Sequence, residues 1–397
     1  MSTRTFVDVH VLQTVPPSNL NRDDAGSPKQ AVYGGARRAR VSSQAWKRAT
    51  RVAFADRVPE AELATRTKKI SALLADRVAE RTGLEAAAAT RIASGLLAGS
   101  LGIKPGKKAE ETAYLLFVGR PQIERLVDLV ADRAAELAAL DDAELTAALA
   151  GQPVRAELAK GHPIDVALFG RMVADIPALN VDAATQVAHA LSTHEAEIEF
   201  DYFTAVDDEN PAEETGAGMI GTVEFNSATL YRFATVGMHQ LLDNLGGQLD
   251  AAAAALEVFI TSFVTSMPTG HQNSFAHRTP PYLVAVVVRA DQPVNLVSAF
   301  EAPVRANGAG IAALSAKRLV DELHRAAQLW GLAPLHVAAA YTPAGTARGE
   351  RPAEDAEAAR MPLGEPLPLA EVIAATVAIV RQRHAADVEP AAAGASA

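Results

Sequence analysis

The chain has 397 residues, 49% of them apolar and 21% charged, with a net charge of −10 and no cysteine. A chain of this length and composition can bury more than one core, which excludes global disorder. The absence of cysteine excludes disulfides, thiolate zinc sites and cysteine nucleophiles.

Charge is unevenly spread. Residues 1–51 hold nine Lys/Arg against three Asp/Glu, a balance of +6 that leaves −16 for the rest. A polyanion-binding surface is therefore expected to be local, and the acidic remainder argues against a membrane surface. No segment reaches the roughly 20 apolar residues of a membrane span, and no apolar signal core opens the chain. The expectation is a soluble, cytoplasmic protein with no membrane partner.

Residues 5–15 alternate and are rich in β-branched types, which predicts a strand with Phe6, Val7, Val9, Val11 and Leu12 in the core. Asp8 and His10 fall on one face, as a hydrogen-bonded or solvated pair, with a metal pair as the alternative. Pro16 and Pro17 end the strand. A long loop follows, carrying Arg22, Lys29, Gly34, Gly35, Arg37, Arg38 and Arg40. Ser42 or Ser43 then N-caps a helix whose buried stripe reads Ala45, Ala49, Val52 and Ala53, with Trp46 beside it. Lys47, Arg48 and Arg51 lie off that stripe. Guanidinium groups, hydroxyls and a helix N-terminus together suit phosphate; the alternative is a solvated, charged helix face.

Residues 58–192 are rich in Ala, Leu and Glu with helical periodicity, over Ala61–Glu80, Ala86–Ala98, Ile123–Leu140 and Val181–Ser192. The Gly102–Lys108 loop lacks the spacing and the Ser/Thr of a nucleotide-binding loop. A backbone-touching basic loop suits it better. Two strands, Glu197–Val206 and Val223–Val236, flank an acidic, glycine-bearing tip at 207–218. Phe200, Tyr202, Phe203, Phe225, Tyr231 and Phe233 on them read as core residues or as a stacking platform for bases. A helix at 249–266, a polar loop from Met267 to Arg278 and a strand at Pro281–Arg289 complete the order βαββαβ, as in RNA-recognition modules. Helices at about 315–331 and 369–384 and a strand near His336–Tyr341 follow. Residues 345–360 read as a charged loop and 385–397 as a disordered tail. No hydrolase, zincin, nucleotide or dinucleotide motif is present. No enzyme activity, cofactor or metal is expected.

Several stretches together resemble one family. They are Leu20-Asn21-Arg22-Asp23-Asp24, then Gly34-Gly35, Arg37-Arg38, Arg40, Ser42-Ser43-Gln44 and Lys47-Arg48. Further on come Asp165–Met172, His189–His194, Tyr202–Asp208, Gly221, Glu224-Phe225, Ser227, Tyr231-Arg232 and Asn244–Gly247. They resemble the CasC family, the backbone subunits of type I-E CRISPR Cascade surveillance complexes, over residues 5 to about 340.

The resemblance implies an α+β fold. It comprises a modified RRM/ferredoxin-like palm, a helical finger insertion and a β-hairpin thumb. The first half of the palm would span 1–57, the finger 58–196, the thumb and palm strands 197–236, and the second half of the palm with C-terminal helices 237–384. It implies a non-cutting subunit that oligomerises head-to-tail along the crRNA and meets target DNA. Its other partners would be the large subunit, the small subunit, the guide-capping 5′ subunit and the guide-processing 3′ endonuclease. The RNA-binding set it implies is Arg22, Lys29, Gly34, Gly35, Arg38, Arg40, Ser42, Ser43, Gln44, Lys47, Arg48, Arg171 and Met172. Phe203, Thr204 and Val206 would displace every sixth nucleotide and leave five-base segments for pairing.

The family's lysine-rich finger helix has no counterpart here, since Leu140–Lys160 opens on Asp141, Asp142 and Glu144. Lys104, Lys107 and Lys108 are candidates to replace it. Two other readings are kept: a metal-dependent RNA endonuclease using Asp23 or Asp24, and a protein-only scaffold.

Overall fold

The computed structural model describes residues 3–102, 111–112, 115–205, 219–308, 310–342 and 363–388. Lys104, Lys107, Lys108, Val206, the 207–218 tip, the 345–360 loop and the last residues of the tail lie outside them. In chain order the strands are β1 (Phe6–Ser18), β2 (Gln30–Tyr33), β3 (Ala36–Val41), β4 (Ala64–Thr67), β5 (Leu116–Gly119) and β6 (Thr185–Val187). They continue with β7 (Ala190–Ser192), β8 (Glu199–Ala205), β9 (Met219–Gly237), β10 (Leu283–Arg289) and β11 (His336–Tyr341). The residues group into two compact units, 1–54 with 186–236 and 256–387, and 55–185 with 237–255 and 388–397.

The first unit is built on a sheet of order β11-β10-β1-β9-β7-β3-β2, with β8 also paired to β9. The pairs β1–β10, β10–β11, β2–β3, β3–β7, β7–β9 and β8–β9 are antiparallel. β1 runs through Pro16 and Pro17 to Ser18, past the end expected at those prolines, and it is interior: every residue from Phe6 to Gln13 is buried. That is why its apolar residues do not simply alternate with exposed polar ones. One apolar cluster joins Leu12, Tyr231, Leu283 and Val287 to Leu319 and Leu323 of the helix Ile311–Trp330. A second joins Val15, Val41, Trp46, Leu230 and Met267.

Asp8 and His10 are a buried hydrogen-bonded pair of sites. Asp8 Oδ2 meets Arg289 Nε at 3.0 Å and accepts from the Val294 N–H at 2.9 Å. The hydroxyl of Tyr231 lies 2.9 Å from His10 Nδ1 and accepts the Leu296 N–H at 3.1 Å.

The second unit is mainly helical. Helices Ile70–Thr82, Ala86–Leu101, Arg120–Ala131 and Asp142–Leu149 bury Leu74, Ile92, Leu96, Leu126, Val127 and Leu149 in one cluster. β4 and β5 pair antiparallel there as a two-stranded sheet that helical periodicity did not predict. Val181–Ser192 also departs from expectation: it contains β6 and β7, not a helix. Its Ala-rich pattern fits either state, and the ladder offered by β9 settles it in favour of strand.

Candidate nucleic-acid interface

The basic stretch of the first unit is a hairpin followed by a helix. Asp23 turns the loop that leads into it, its Oδ1 accepting the Ala25 and Ser27 N–H groups at 2.9 and 3.0 Å. That Asx-type turn engages one oxygen of Asp23, one of the two carboxylates that the endonuclease reading would use; the other, Asp24, is exposed. Lys29 then pairs through its backbone with Asn21 and Arg40. Asn21 Oδ1 also accepts the Ser42 N–H at 2.9 Å, so the loop is tied to the start of the helix.

That helix, α1 (Ser43–Ala53), is N-capped by Ser42, whose Oγ accepts the Ala45 N–H at 3.3 Å. Its buried face is Trp46 and Thr50, continuing to Phe54, at i, i+4 and i+8. The expected stripe of Ala45, Ala49, Val52 and Ala53 is corrected by this. Those alanines are half-buried, and Val52 is 55% exposed. The largest apolar side chain takes the core position, since burying an indole gains more than burying methyl groups. Arg232 lies beneath it, its guanidinium 3.7 Å from the Trp46 ring centroid and 4.7 Å from that of Phe263. Arg232 donates to Gln13 Oε1 at 2.6 Å and to the Phe263 carbonyl. Desolvation lowers its pKa to about 9, and it stays charged at neutral pH. Arg232 thereby locks α1 onto β1 and β9, a role the sequence signalled only through the Tyr231-Arg232 pair.

The cations of the stretch divide by burial. Arg22, Arg37 and Arg48 are exposed, and Lys29, Arg40 and Lys47 are half-buried. Burial lowers the Lys47 pKa. Ser43 is half-buried and Gln44 exposed. The ten ion pairs of the described residues all lie elsewhere, so none of these six cations meets a described carboxylate. Arg22 instead contacts His271 Nε2 at 3.0 Å, and Arg40 Nε donates to the Gln30 carbonyl at 3.2 Å.

Arg38, Gly34 and Arg171, all predicted RNA contacts, have structural roles, as does Ser42 in capping α1. Arg38 has no exposed surface. Its guanidinium donates to the carbonyls of Tyr33, Ser192, Phe300 and Glu301 at 3.3, 3.0, 2.8 and 3.1 Å. A phosphate cannot reach it. Gly34 permits close approach to its own chain: a Cβ there would lie 1.7 Å from the Glu301 carbonyl oxygen. Gly35, also at positive φ, faces open space.

Arg171, in the second unit, is 6% exposed. It donates to the carbonyls of Leu179, Phe117 and Leu158 at 2.6, 3.3 and 2.9 Å. Its neighbour Met172 is 82% exposed. The arginine anchors the segment that presents the methionine.

On the β8–β9 hairpin, Phe200, Tyr202 and Phe203 are 68%, 63% and 40% exposed. The core reading therefore fails for these three and holds for Tyr231 and Phe233, which are buried. Thr204 is exposed. Phe203 lies across Gly221, where a Cβ would come within 2.4 Å of its ring.

An antiparallel sheet in the first unit and helices in the second define a mixed α/β class of protein, whose basic stretch carries six cations that meet no described carboxylate. The chain belongs to the CT1975-like protein family, whose model matches residues 7–363. It is similar to a solved chain described as "CRISPR RNA-guided surveillance complex, pre-nicking", at 32% identity and a TM-score of 0.77, covering 94% of this chain and 100% of that one. It is also similar to one described as "CRISPR RNA-guided surveillance complex", at 29% identity and a TM-score of 0.66, covering 94% and 99%. No curated protein matches. The fold is that of a Cas-seven-type CRISPR subunit.

Proposed function

We propose that this chain is the crRNA-binding backbone subunit of a type I-E Cascade complex. Copies stack head-to-tail along the guide, and each holds its backbone without reading bases. The observation that carries the reading is the set Arg22, Lys29, Arg37, Arg40, Lys47 and Arg48, six cations with no described carboxylate partner. Cations that no acid satisfies are available to phosphates, and contacts to phosphates carry no sequence information. A guide subunit needs that indifference, because base pairing does the reading.

The palm reading is supported by the strand order β10-β1-β9 with β8 on β9, which is the order that βαββαβ connectivity gives in ferredoxin-like folds. The exposed Met172 of the second unit suits a wedge beside the RNA, and the exposed Phe203 and Thr204 on the hairpin suit the displacement of one nucleotide in six. An apolar group there replaces the stacking that the displaced base loses. In this reading the subunit holds RNA and presents it to target DNA in the cytoplasm, and cleavage belongs to other components.

The test is co-expression with a guide and RNA retention across a salt series, for wild type and Lys47→Ala/Arg48→Ala. Removing two phosphate contacts on a single strand lowers the slope of log K against log salt by about 1.4 and weakens every guide alike. Equal slopes and affinities for the two proteins overturn the reading.

A further inference from the structure

His189 immediately precedes β7, whose Ala190 and Leu191 pair with Val41 and Arg40 of β3. That register sets the imidazole beside the start of α1, where its Nδ1 accepts the Ser43 N–H at 3.0 Å. The bond fixes the tautomer: with Nδ1 as acceptor, the ring proton is on Nε2. The side chain is exposed, and among the described residues Nε2–H has no protein partner. The charged groups acting on the ring are Arg40 of β3 and Lys29 of the preceding loop. Neither is paired with a described carboxylate. Three donors from separate segments thus converge with no acceptor among them.

We propose that His189 is a phosphate-contacting residue, its Nε2–H joining Lys29 and Arg40 in receiving one phosphodiester of single-stranded RNA. The inference rests on the guide-binding reading above and adds a residue and a pH response to it. In the free protein, desolvation and the cations of Arg40 and Lys29 hold the imidazole below its usual pKa, so it is neutral at pH 7. The imidazolium carries N–H on both nitrogens, so forming it gives up the Ser43 N–H bond to Nδ1; a bound phosphodiester that offsets the two cations and accepts from the ring favours it all the same. RNA binding then takes up a proton at this site, and affinity rises as pH falls below neutral.

The experiment separates the helix-capping bond from the ligand bond. In His189→Asn the side-chain oxygen takes the place of Nδ1 and still accepts the Ser43 N–H, but the shorter amide NH2 no longer reaches the Nε2 position. The full chain is titrated with labelled single-stranded RNA of about 60 nucleotides, at neutral pH and at about one unit below the imidazole's usual pKa. Unfolding midpoints are measured alongside. His189→Asn is expected to keep its unfolding midpoint, to bind RNA about fivefold more weakly at neutral pH, and to lose the gain in affinity at acid pH. His189→Gln, which carries an amide donor near the Nε2 position, is expected to keep more of the neutral-pH affinity than His189→Asn while also losing the acid gain.

RNA affinity and pH response in His189→Asn equal to wild type overturn the inference. So does a variant that binds weakly only in proportion to a lost unfolding midpoint. Lys47→Ala/Arg48→Ala is run in parallel. If it weakens binding while His189→Asn does not, the His189 inference alone has failed. If neither variant weakens binding, the guide-binding reading has failed with it.

Discussion

Arg38 and Arg48 sit ten residues apart in one basic stretch, and they are expected to fail in opposite ways. Arg38→Ala removes four hydrogen bonds from a fully buried guanidinium to the carbonyls of Tyr33, Ser192, Phe300 and Glu301. Hydrogen bonds to a charged group contribute roughly 1.5–3 kcal/mol each, but those losses do not add. Water entering the space left behind, and each carbonyl's second lone pair, recover part of them. The expected cost is about 3–5 kcal/mol, the scale of breaking a buried network. That is a large part of a typical 5–15 kcal/mol stability. With a urea dependence of about 3 kcal/mol/M, the midpoint falls by about 1–1.7 M. Arg48→Ala, at an exposed position, is expected to move it by less than about 0.5 kcal/mol and to weaken RNA binding instead. The assay is urea unfolding followed by tryptophan emission. Trp46 is fully buried in the same unit, while Trp330 is already 75% exposed and contributes little change. An Arg38→Ala protein with a wild-type midpoint and weakened RNA binding would refute the assignment of Arg38 to the core.

Two further outcomes follow from the same packing. Gly34→Ala places a Cβ 1.7 Å from the Glu301 carbonyl oxygen at a positive φ, and is expected to cost about 3 kcal/mol or more, against about 1 kcal/mol for Gly35→Ala in open space. Thermal unfolding of the two variants side by side checks it, and equal losses contradict the contact. At His10, burial and the Arg289 cation push the folded pKa down to about 3, while the unfolded chain titrates near 6.5. The unfolded state therefore binds a proton that the folded state refuses, and stability falls as pH drops through that window. Relative to His10→Gln, the wild type should lose about 1.4 kcal/mol per pH unit between about pH 6 and pH 4. Stability curves that run parallel across that range would show that His10 is not held neutral. Asp8, raised to about 6 by burial, is present in both proteins and drops out of the difference.

The local chemistry of the chain was legible from its residues. β-branched alternation marked β1, Ser42 marked the start of α1, and the excess of Lys and Arg over acids marked an anion-binding stretch. These are properties of short windows, where backbone preference and charge act over a few residues. The sequence was ambiguous where two states have similar local cost. Val181–Ser192 has helical composition but became strand because β9 supplied a ladder. The face that α1 buries was offset for a similar reason, because Arg232, nearly two hundred residues away, stacks on Trp46.

The sequence by itself determined the helix of the basic region and its charge, while the β2–β3 hairpin before that helix read as a loop. Only the tertiary structure decided which of its cations face solvent. Arg37 and Arg38 are adjacent in sequence and equal in charge, and β-strand alternation sends them to opposite faces. Whether one face is core depends on what packs there. For Arg38 that is the Phe300–Glu301 backbone, 262 and 263 residues away. Arg171 is withdrawn in the same manner by Phe117, Leu158 and Leu179. A guanidinium can satisfy its donors on phosphates or on carbonyls with similar geometry, so residue type cannot tell the two uses apart. The position of distant backbone carbonyls does, and that position exists only in the folded chain.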